Sequence, residues 1–186
     1  GGGAVLGALA AVAEVQSVEV REGSGRGRRL SVSGYVEWGL GELRPKAAMH
    51  VITEIDPASG ALYARNAYNT DFADRIAFFD IDNSSRTYTG DRAEFIGRNG
   101  STRQPAALKR MSLSGRVGAC LDPCGAIQVP LELADGETRT LVFRLGAGRD
   151  RNDAGALIRR FRRSGSARAS FEANATRWSQ LLGAVV

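Results

Sequence analysis

From Arg28 the chain alternates, with Leu30, Val32, Gly34, Val36 and Trp38 on one parity and Ser31, Ser33, Tyr35 and Glu37 on the other. That is the period of a half-buried strand. AMHVITEI (48–55) and ALYARNA (61–67) are separated by Asp56-Pro57-Ala58-Ser59-Gly60, where proline fixes one backbone angle and glycine allows a positive one, so the two runs predict a hairpin. AIQVPLEL (126–133) and TRTLVFRL (138–145) flank Ala134-Asp135-Gly136-Glu137 and predict a second hairpin. DRIAFFDI (74–81) and RAEFIG (92–97) add two short strands. Pro130 removes a ladder donor, which places it at an edge or facing outward. Short strands with regular turn signals and no helical runs between them predict a mainly β fold, an antiparallel sandwich, and not a parallel α/β sheet.

The period changes after Gly148. Asp150 is placed to cap a helix whose Ala154, Leu157, Ile158 and Phe161 follow helical spacing. Asp153 sits near the positive end of that helix and Arg159, Arg160, Arg162 and Arg163 near the negative end, so helix chemistry accounts for the arginine cluster. Beyond Ser164-Gly165-Ser166 a second stripe, Phe171, Asn174, Ala175, Trp178 and Leu182, predicts a second amphipathic helix. Residues 1–148 therefore read as a sandwich and residues 149–186 as two helices that need an apolar surface to lie against.

The 186 residues suffice for one domain with a core and an appendage. A hydrophobic share of 43% and a charged share of 24% exclude disordered and fibrous classes. The net charge of +5 comes from arginine, since Lys46 and Lys109 are the only lysines. The arginines are scattered and not interleaved with aromatic residues, so no nucleic-acid partner is predicted. The apolar opening GGGAVLGALAAVAEV is too short to span a bilayer and lacks the basic flank of a secretory signal, so no membrane contact is expected of this segment. A start without methionine and an end at Gly183-Ala184-Val185-Val186 read as a segment of a longer polypeptide. Cys120 and Cys124 have no second cysteine pair and no neighbouring histidine, so they read as ordinary thiols near a turn, with no metal site.

No phosphate loop, dinucleotide fingerprint or nucleophile elbow is present, and no cofactor is predicted. His50, the single histidine, falls in a strand pattern and reads as a hydrogen-bonded structural residue. Asp71 with Asp74, or Asp80 with Asp82, has no more than the spacing of solvated turn acids, since a catalytic carboxylate pair must face a bound sugar from both sides. The densest set of directional polar groups is TGDRAEFIGRNG, 89–100, wrapped around Phe95 and Ile96.

The segments GYVEWGLGELRP (34–45), HVITEIDPASGALYARN (50–66), YNTDFADRIAFFD (68–80), TGDRAEFIGRNGS (89–101) and GRVGACLDPCGAIQVPLELADGE (115–137) together resemble the N-terminal β-sandwich, or supersandwich, of cellobiose-type and chitobiose-type glycoside phosphorylases. The resemblance is closest to the corresponding region of cyclic β-1,2-glucan synthases. It covers residues 25–186; GAGRDRNDAGALIRRFR resembles the family's passage from its last strand into linker helices. Residues 1–14 depart from the family pattern, and VQSVEVRE (15–22) is the candidate first strand.

The resemblance implies a noncatalytic sandwich that supports and shapes a catalytic α/α barrel of the same polypeptide, with residues 149–186 as a helical linker toward that barrel. The family's general acid and phosphate-binding residues belong to the barrel, so no catalytic residue is assigned here and no activity is expected of this chain alone. Asp91, Arg92, Arg98 and Asn99, with Tyr68, Asn69 and Asp71, are the candidates for facing the barrel or a sugar. Phe95 and Ile96 would anchor that loop, and in the purely structural reading Asp91 pairs with Arg92 or Arg98 while Asn99-Gly100 makes a turn. The alternative reading is an autonomous module for β-glucan, with Tyr35, Tyr63, Tyr68 and Tyr88 as stacking candidates. A homodimer is compatible with either, and full-length glucan synthases of this family are inner-membrane proteins.

Overall fold

The computed structural model describes residues 12–163. Eight strands form two antiparallel sheets. They are β1 (Val12–Arg21), β2 (Arg28–Glu37), β3 (Ile52–Ile55), β4 (Leu62–Arg65), β5 (Ile76–Ile81), β6 (Thr87–Asp91), β7 (Pro123–Leu133) and β8 (Thr138–Gly148). The larger sheet has the order β1-β8-β5-β4-β3 and the smaller one β2-β7-β6. Helical turns α1 (Arg44–Ala47) and α2 (Arg92–Phe95) and the longer helix α3 (Arg151–Arg162) lie outside the strands. The expected second helix around Phe171 to Leu182 falls outside the described residues.

The mainly β sandwich is thus observed, with more layers than two. Leu62, Ala64, Ala77, Phe79, Ile81 and Phe143 of the larger sheet meet Ile127, Val129 and Trp38 in the central core. The opposite parity of the larger sheet, Ala61, Tyr63, Ile76 and Phe78, packs against Ala154, Leu157 and Ile158 of α3. The outer face of the smaller sheet, Cys124 and Ala126, is covered by Phe95, Ile96, Ala107 and Leu113. Both faces of β5 and β7 are therefore buried, which is why IAFFDI and CGAIQV do not alternate and are apolar apart from Asp80 and Gln128, both themselves buried. β2 is an edge strand whose burial does not alternate: Val32 to Val36 are all half-buried, because Tyr35 of the outward parity stacks on Phe95. Gly34 is required on its inward parity, because a Cβ there would come within 2.6 Å of the Phe143 ring and 2.7 Å of Phe79.

The first expected hairpin is present: Ile52 pairs with Arg65 and Ile55 with Leu62 across a turn in which Gly60 has φ 66° and donates to the Asp56 carbonyl at 2.7 Å. Its first strand is shorter than expected, since Ala48–His50 is a 3-10 turn. The second expected hairpin is not formed. β7 pairs with β2 and β6, and β8 with β1 and β5, so the turn at 134–137 carries the chain from one sheet to the other. The β1–β2 connection makes the same crossing, and the two crossings hold each other through the Glu22 N–H to Glu137 carbonyl and the Gly136 N–H to Glu22 carbonyl, at 3.0 and 3.1 Å. A turn signal between two strands specifies that the chain reverses, not that the two strands bond each other. Pro130 is exposed and pairs with Ser31 in central β7, but it lies beyond Gln128, the last β7 residue matched by β6, so the donor it lacks has no β6 partner.

The sandwich is stitched along one flank. Gly90 of β6 donates to the Arg116 carbonyl at 2.7 Å, and Thr53 of β3 donates to the Gly118 carbonyl at 3.1 Å, so 115–118 bridges the two sheets. α3 starts as the sequence predicts: Asp150 accepts from the Asp153 N–H at 2.8 Å. It then lies along the outer face of the larger sheet, with Ala154 against Gly148, where a Cβ would sit 2.4 Å from the Ala154 nitrogen.

Asp80 shares the outward parity of Ile76 and Phe78 and is fully buried. Arg162 reaches it from α3, Nε at 3.0 Å and Nη2 at 2.5 Å, one on each carboxylate oxygen. Arg144, its cross-strand partner, stands 3.6 Å away and donates to the Phe161 carbonyl at 2.9 Å. Removing one member of such a cluster strands the others in a low-dielectric site. Asp80→Ala is expected to lower the free energy of unfolding by about 3 to 5 kcal/mol in urea titrations, well above the cost of the lost volume.

Candidate functional site

The strand registers place the candidate residues at one end of the sandwich. Glu37, Asp91 and Pro123 mark that end of the smaller sheet, and Ile52, Arg65, Ile76 and Gly148 the same end of the larger. The 38–51 crossover, the 66–75 loop and the 92–122 excursion all leave from it.

Asp91 ends β6 and caps α2, accepting from the Ala93 N–H at 3.0 Å. Its other oxygen receives Arg116 at 3.1 Å, so Asp91 pairs with neither Arg92 nor Arg98 as the sequence had suggested. Nor is RAEFIG a strand: with Asp91 as cap and Glu94 in the first turn, Arg92–Phe95 forms a helical turn. Phe95 and Ile96 nevertheless anchor the segment, both buried. Tyr35 stacks on Phe95 with ring centroids 4.9 Å apart.

Arg92 turns toward β2 and bonds Glu37 at 2.9 Å, with Asp122 at 3.6 Å. Arg44 bonds Asp122 at 2.8 Å, and the Tyr35 hydroxyl donates to Glu37 at 2.7 Å. Burial and the Glu37 carboxylate beside it push the Tyr35 phenol well above its usual range. Glu94 accepts from the Thr89 hydroxyl at 2.7 Å, from Ser114 Oγ at 2.6 Å and from the Ser114 N–H at 2.9 Å. Burial alone would raise its carboxyl, but these hydrogen bonds outweigh burial and lower it. A shallow depression lined by Asp91, Ala93, Glu94, Arg110, Ser114 and Arg116 lies above them.

The tip of the loop differs. Gly97, with φ 92°, opens a turn closed by the Gly100 N–H on the Gly97 carbonyl at 3.2 Å. A Cβ on Gly100 would lie 2.0 Å from the Ile96 carbonyl oxygen. Arg98 and Asn99 are exposed on this turn, and their side chains bond no other described residue. The second group of candidates sits on the 66–75 loop. Tyr68 is 74% exposed, and its ring stacks on His50 with centroids 4.0 Å apart and planes 8° from parallel. His50 is thus held by an aromatic contact on a 3-10 turn, not by hydrogen bonds within a strand. Of the four tyrosines, Tyr63 is fully buried and Tyr35 and Tyr88 are half-buried, so Tyr68 alone presents a free ring.

Sequence reasoning missed Glu37, Arg44, Arg116 and Asp122, which complete the bonding of Asp91 and Arg92. Each stands 25 or more residues away from one of its partners, and no local spacing signals such a pair. The arrangement commits its carboxylates, Glu37, Asp91, Glu94 and Asp122, to donors that hold loops in place.

The supersandwich domain model of glycosyl hydrolase 94 matches residues 8–164. The chain is 32% identical over 174 residues, 93% of its length, to the cyclic beta-(1,2)-glucan synthase NdvB of Rhizobium meliloti (strain 1021), of which it spans 6%. It is 28% identical to N,N'-diacetylchitobiose phosphorylase of Vibrio furnissii over 74% of its length, and to cellobionic acid phosphorylase of Neurospora crassa over 78%. It spans 18% and 19% of those two phosphorylases, so all three relatives are far longer than this chain.

Two expectations separate the committed residues from the free ones. Asp91→Ala removes a helix cap and leaves Arg116 without its partner, lowering stability by about 1 to 3 kcal/mol, while Arg98→Ala changes it by no more than about 0.5 kcal/mol, both read from urea midpoints. Because the folded carboxyl of Glu94 is lowered, its stabilisation is present above the unfolded value and lost as pH falls through the folded one. Acid titration of stability should therefore become shallower in that window in Glu94→Gln.

Proposed function

The chain belongs to the glycosyl hydrolase 94 supersandwich family, and on that premise we propose that it is the noncatalytic sandwich domain of a cyclic β-1,2-glucan synthase or a related β-glucoside phosphorylase. Its role is to support a catalytic α/α barrel in the same polypeptide and to shape the rim of that barrel. The observation that carries the reading is coverage: between 74% and 93% of the chain aligns with a small fraction of relatives named as a glucan synthase and phosphorylases. The chemistry of the described residues agrees, because the carboxylates around Asp91 hold structure and none is left facing another across a cleft. Fold alone does not confer activity.

The free tip, Arg98 and Asn99, is the part of the loop available to meet the barrel. α3 runs along the outer face of the larger sheet, from Arg151 beside Glu54 to Arg162, which donates to the Ser59 carbonyl in the β3–β4 turn.

Incubated with β-1,2-glucan and inorganic phosphate, the pure 186-residue chain should release no glucose 1-phosphate, and the longer polypeptide should lose its activity when the sandwich is deleted. Product from the chain alone, or a barrel fully active without the sandwich, would overturn the assignment. In the longer polypeptide Arg98→Ala should lower turnover or raise KM without shifting the melting temperature.

A further inference from the structure

We propose that Tyr68, Asn69 and Asp71 form a sugar-binding subsite for a β-linked glucoside on the end of the sandwich, separate from any barrel site. The inference rests on the carbohydrate-enzyme reading for the class of ligand, and on the geometry of this loop for the place.

An aromatic ring left in water is costly unless something covers it. Tyr68 keeps one face against His50, at 4.0 Å, and is 74% exposed overall, so the opposite face and the hydroxyl are open. The ring is held rather than loose. The Tyr68 backbone N–H donates to Asn66 Oδ1 at 3.1 Å, and Asn66 Nδ2 donates to the Leu40 carbonyl at 2.6 Å. That buried amide ties the tyrosine loop to the crossover that carries His50, and a platform fixed before binding loses little entropy on binding.

The polar groups next to the ring are also unspent. Asn69 precedes the 3-10 turn Thr70–Phe72 and makes no capping bond with its side chain, and Asp71 is exposed at the start of that turn. Neither side chain bonds any other described residue. This contrasts with the same end of the smaller sheet, where Asp91, Glu94 and Arg92 are each bonded within the fold. A flat aromatic face matches the axial C–H surface of a β-glucosyl ring, an amide both donates and accepts, and a carboxylate accepts from vicinal hydroxyls. Such a set discriminates a neutral sugar from an anionic one, since Asp71 would repel phosphate.

The single histidine supplies the readout. His50 lies under the Tyr68 ring, so its imidazole proton resonances carry the ring-current shift of that stack and appear alone in the histidine region of the NMR spectrum. Titration of the full chain with linear β-1,2-gluco-oligosaccharides should shift the His50 and Tyr68 signals with a dissociation constant on the order of 1 mM. Tyr68→Ala should weaken the sugar-induced response, followed at the Asn69 and Asp71 amides, by about tenfold or more, and Asp71→Asn and Asn69→Ala by smaller factors. Inorganic phosphate alone should leave those signals in place. Unshifted His50 and Tyr68 signals in a folded chain at saturating sugar, or sugar-induced shifts confined to other residues, would overturn the subsite. So would burial of Tyr68 under protein in the longer polypeptide, which would assign the ring to domain docking. None of these outcomes touches the supporting role, which is decided by deletion of the sandwich.

Discussion

A carboxylate buried on the outer face of a sheet sets the terms for what may cover that face. Asp80 replaces an apolar residue on the parity of Ile76 and Phe78 and is sealed from solvent, so whatever lies over β5 has to bring charge as well as apolar area. α3 brings both. Leu157 and Ile158 fill the space over Tyr63 and Phe78, and Arg162, one turn later, lands on Asp80. The hydrogen bonds to Asp80 hold Arg162 more firmly protonated, while burial pushes Arg144 the other way. Helix and sheet are thereby matched in register as well as in hydrophobicity, since sliding α3 by a turn would separate Arg162 from its partner. Arg151 at the head of the helix, paired with Glu54 and 3.6 Å from Asp56, fixes the other end.

The smaller sheet meets the same demand by a different route. Its outer face, Cys124 and Ala126, carries small side chains, and a long excursion between β6 and β7 covers them with Phe95, Ile96, Ala107 and Leu113. Burial pushes the Cys124 thiol well above its ordinary range, so it packs there as a small apolar residue. An excursion with only short helical turns needs polar ties, and Asp91, Arg92 and Glu94 provide them by reaching Arg116, Glu37 and Ser114. The charge density that makes TGDRAEFIGRNG conspicuous as text is thus mostly the bonding of a cover to its sheet.

These two covers also explain what the sequence could and could not convey. The β2 strand, the Gly60 turn and the Asp150 cap depend on neighbours a few residues apart, and each is found where the pattern placed it, although the burial of β2 does not alternate. The pairing of β7 and β8 was misread because the Asp135-Gly136 turn fixes a reversal, whereas the choice of partners rests on β1, β2, β5 and β6. RAEFIG was misread because two adjacent buried residues, Phe95 and Ile96, suit a strand, while the deciding interaction is the Asp91 cap. The candidate residues are partly legible: Tyr68, Asn69, Asp71, Arg98 and Asn99 stand out in the sequence beside Asp91 and Arg92, and only the structure separates the two sets, because Arg116, Glu37 and Asp122, the partners of Asp91 and Arg92, come from distant segments.

One end of the molecule therefore carries two kinds of polar residue with different physical status. Around the smaller sheet, carboxylates and guanidiniums are paired with each other, and a ligand would have to displace an internal partner before bonding any of them, at the cost of a stranded group. On the adjoining loops, the side chains of Arg98, Asn99, Asn69 and Asp71 bond no other described residue and the Tyr68 ring is stacked on His50 by one face only, and these residues are carried on turns fixed by Gly97, Gly100 and Asn66. The second set differs in that its side chains can bond a newcomer without first breaking a bond of the fold.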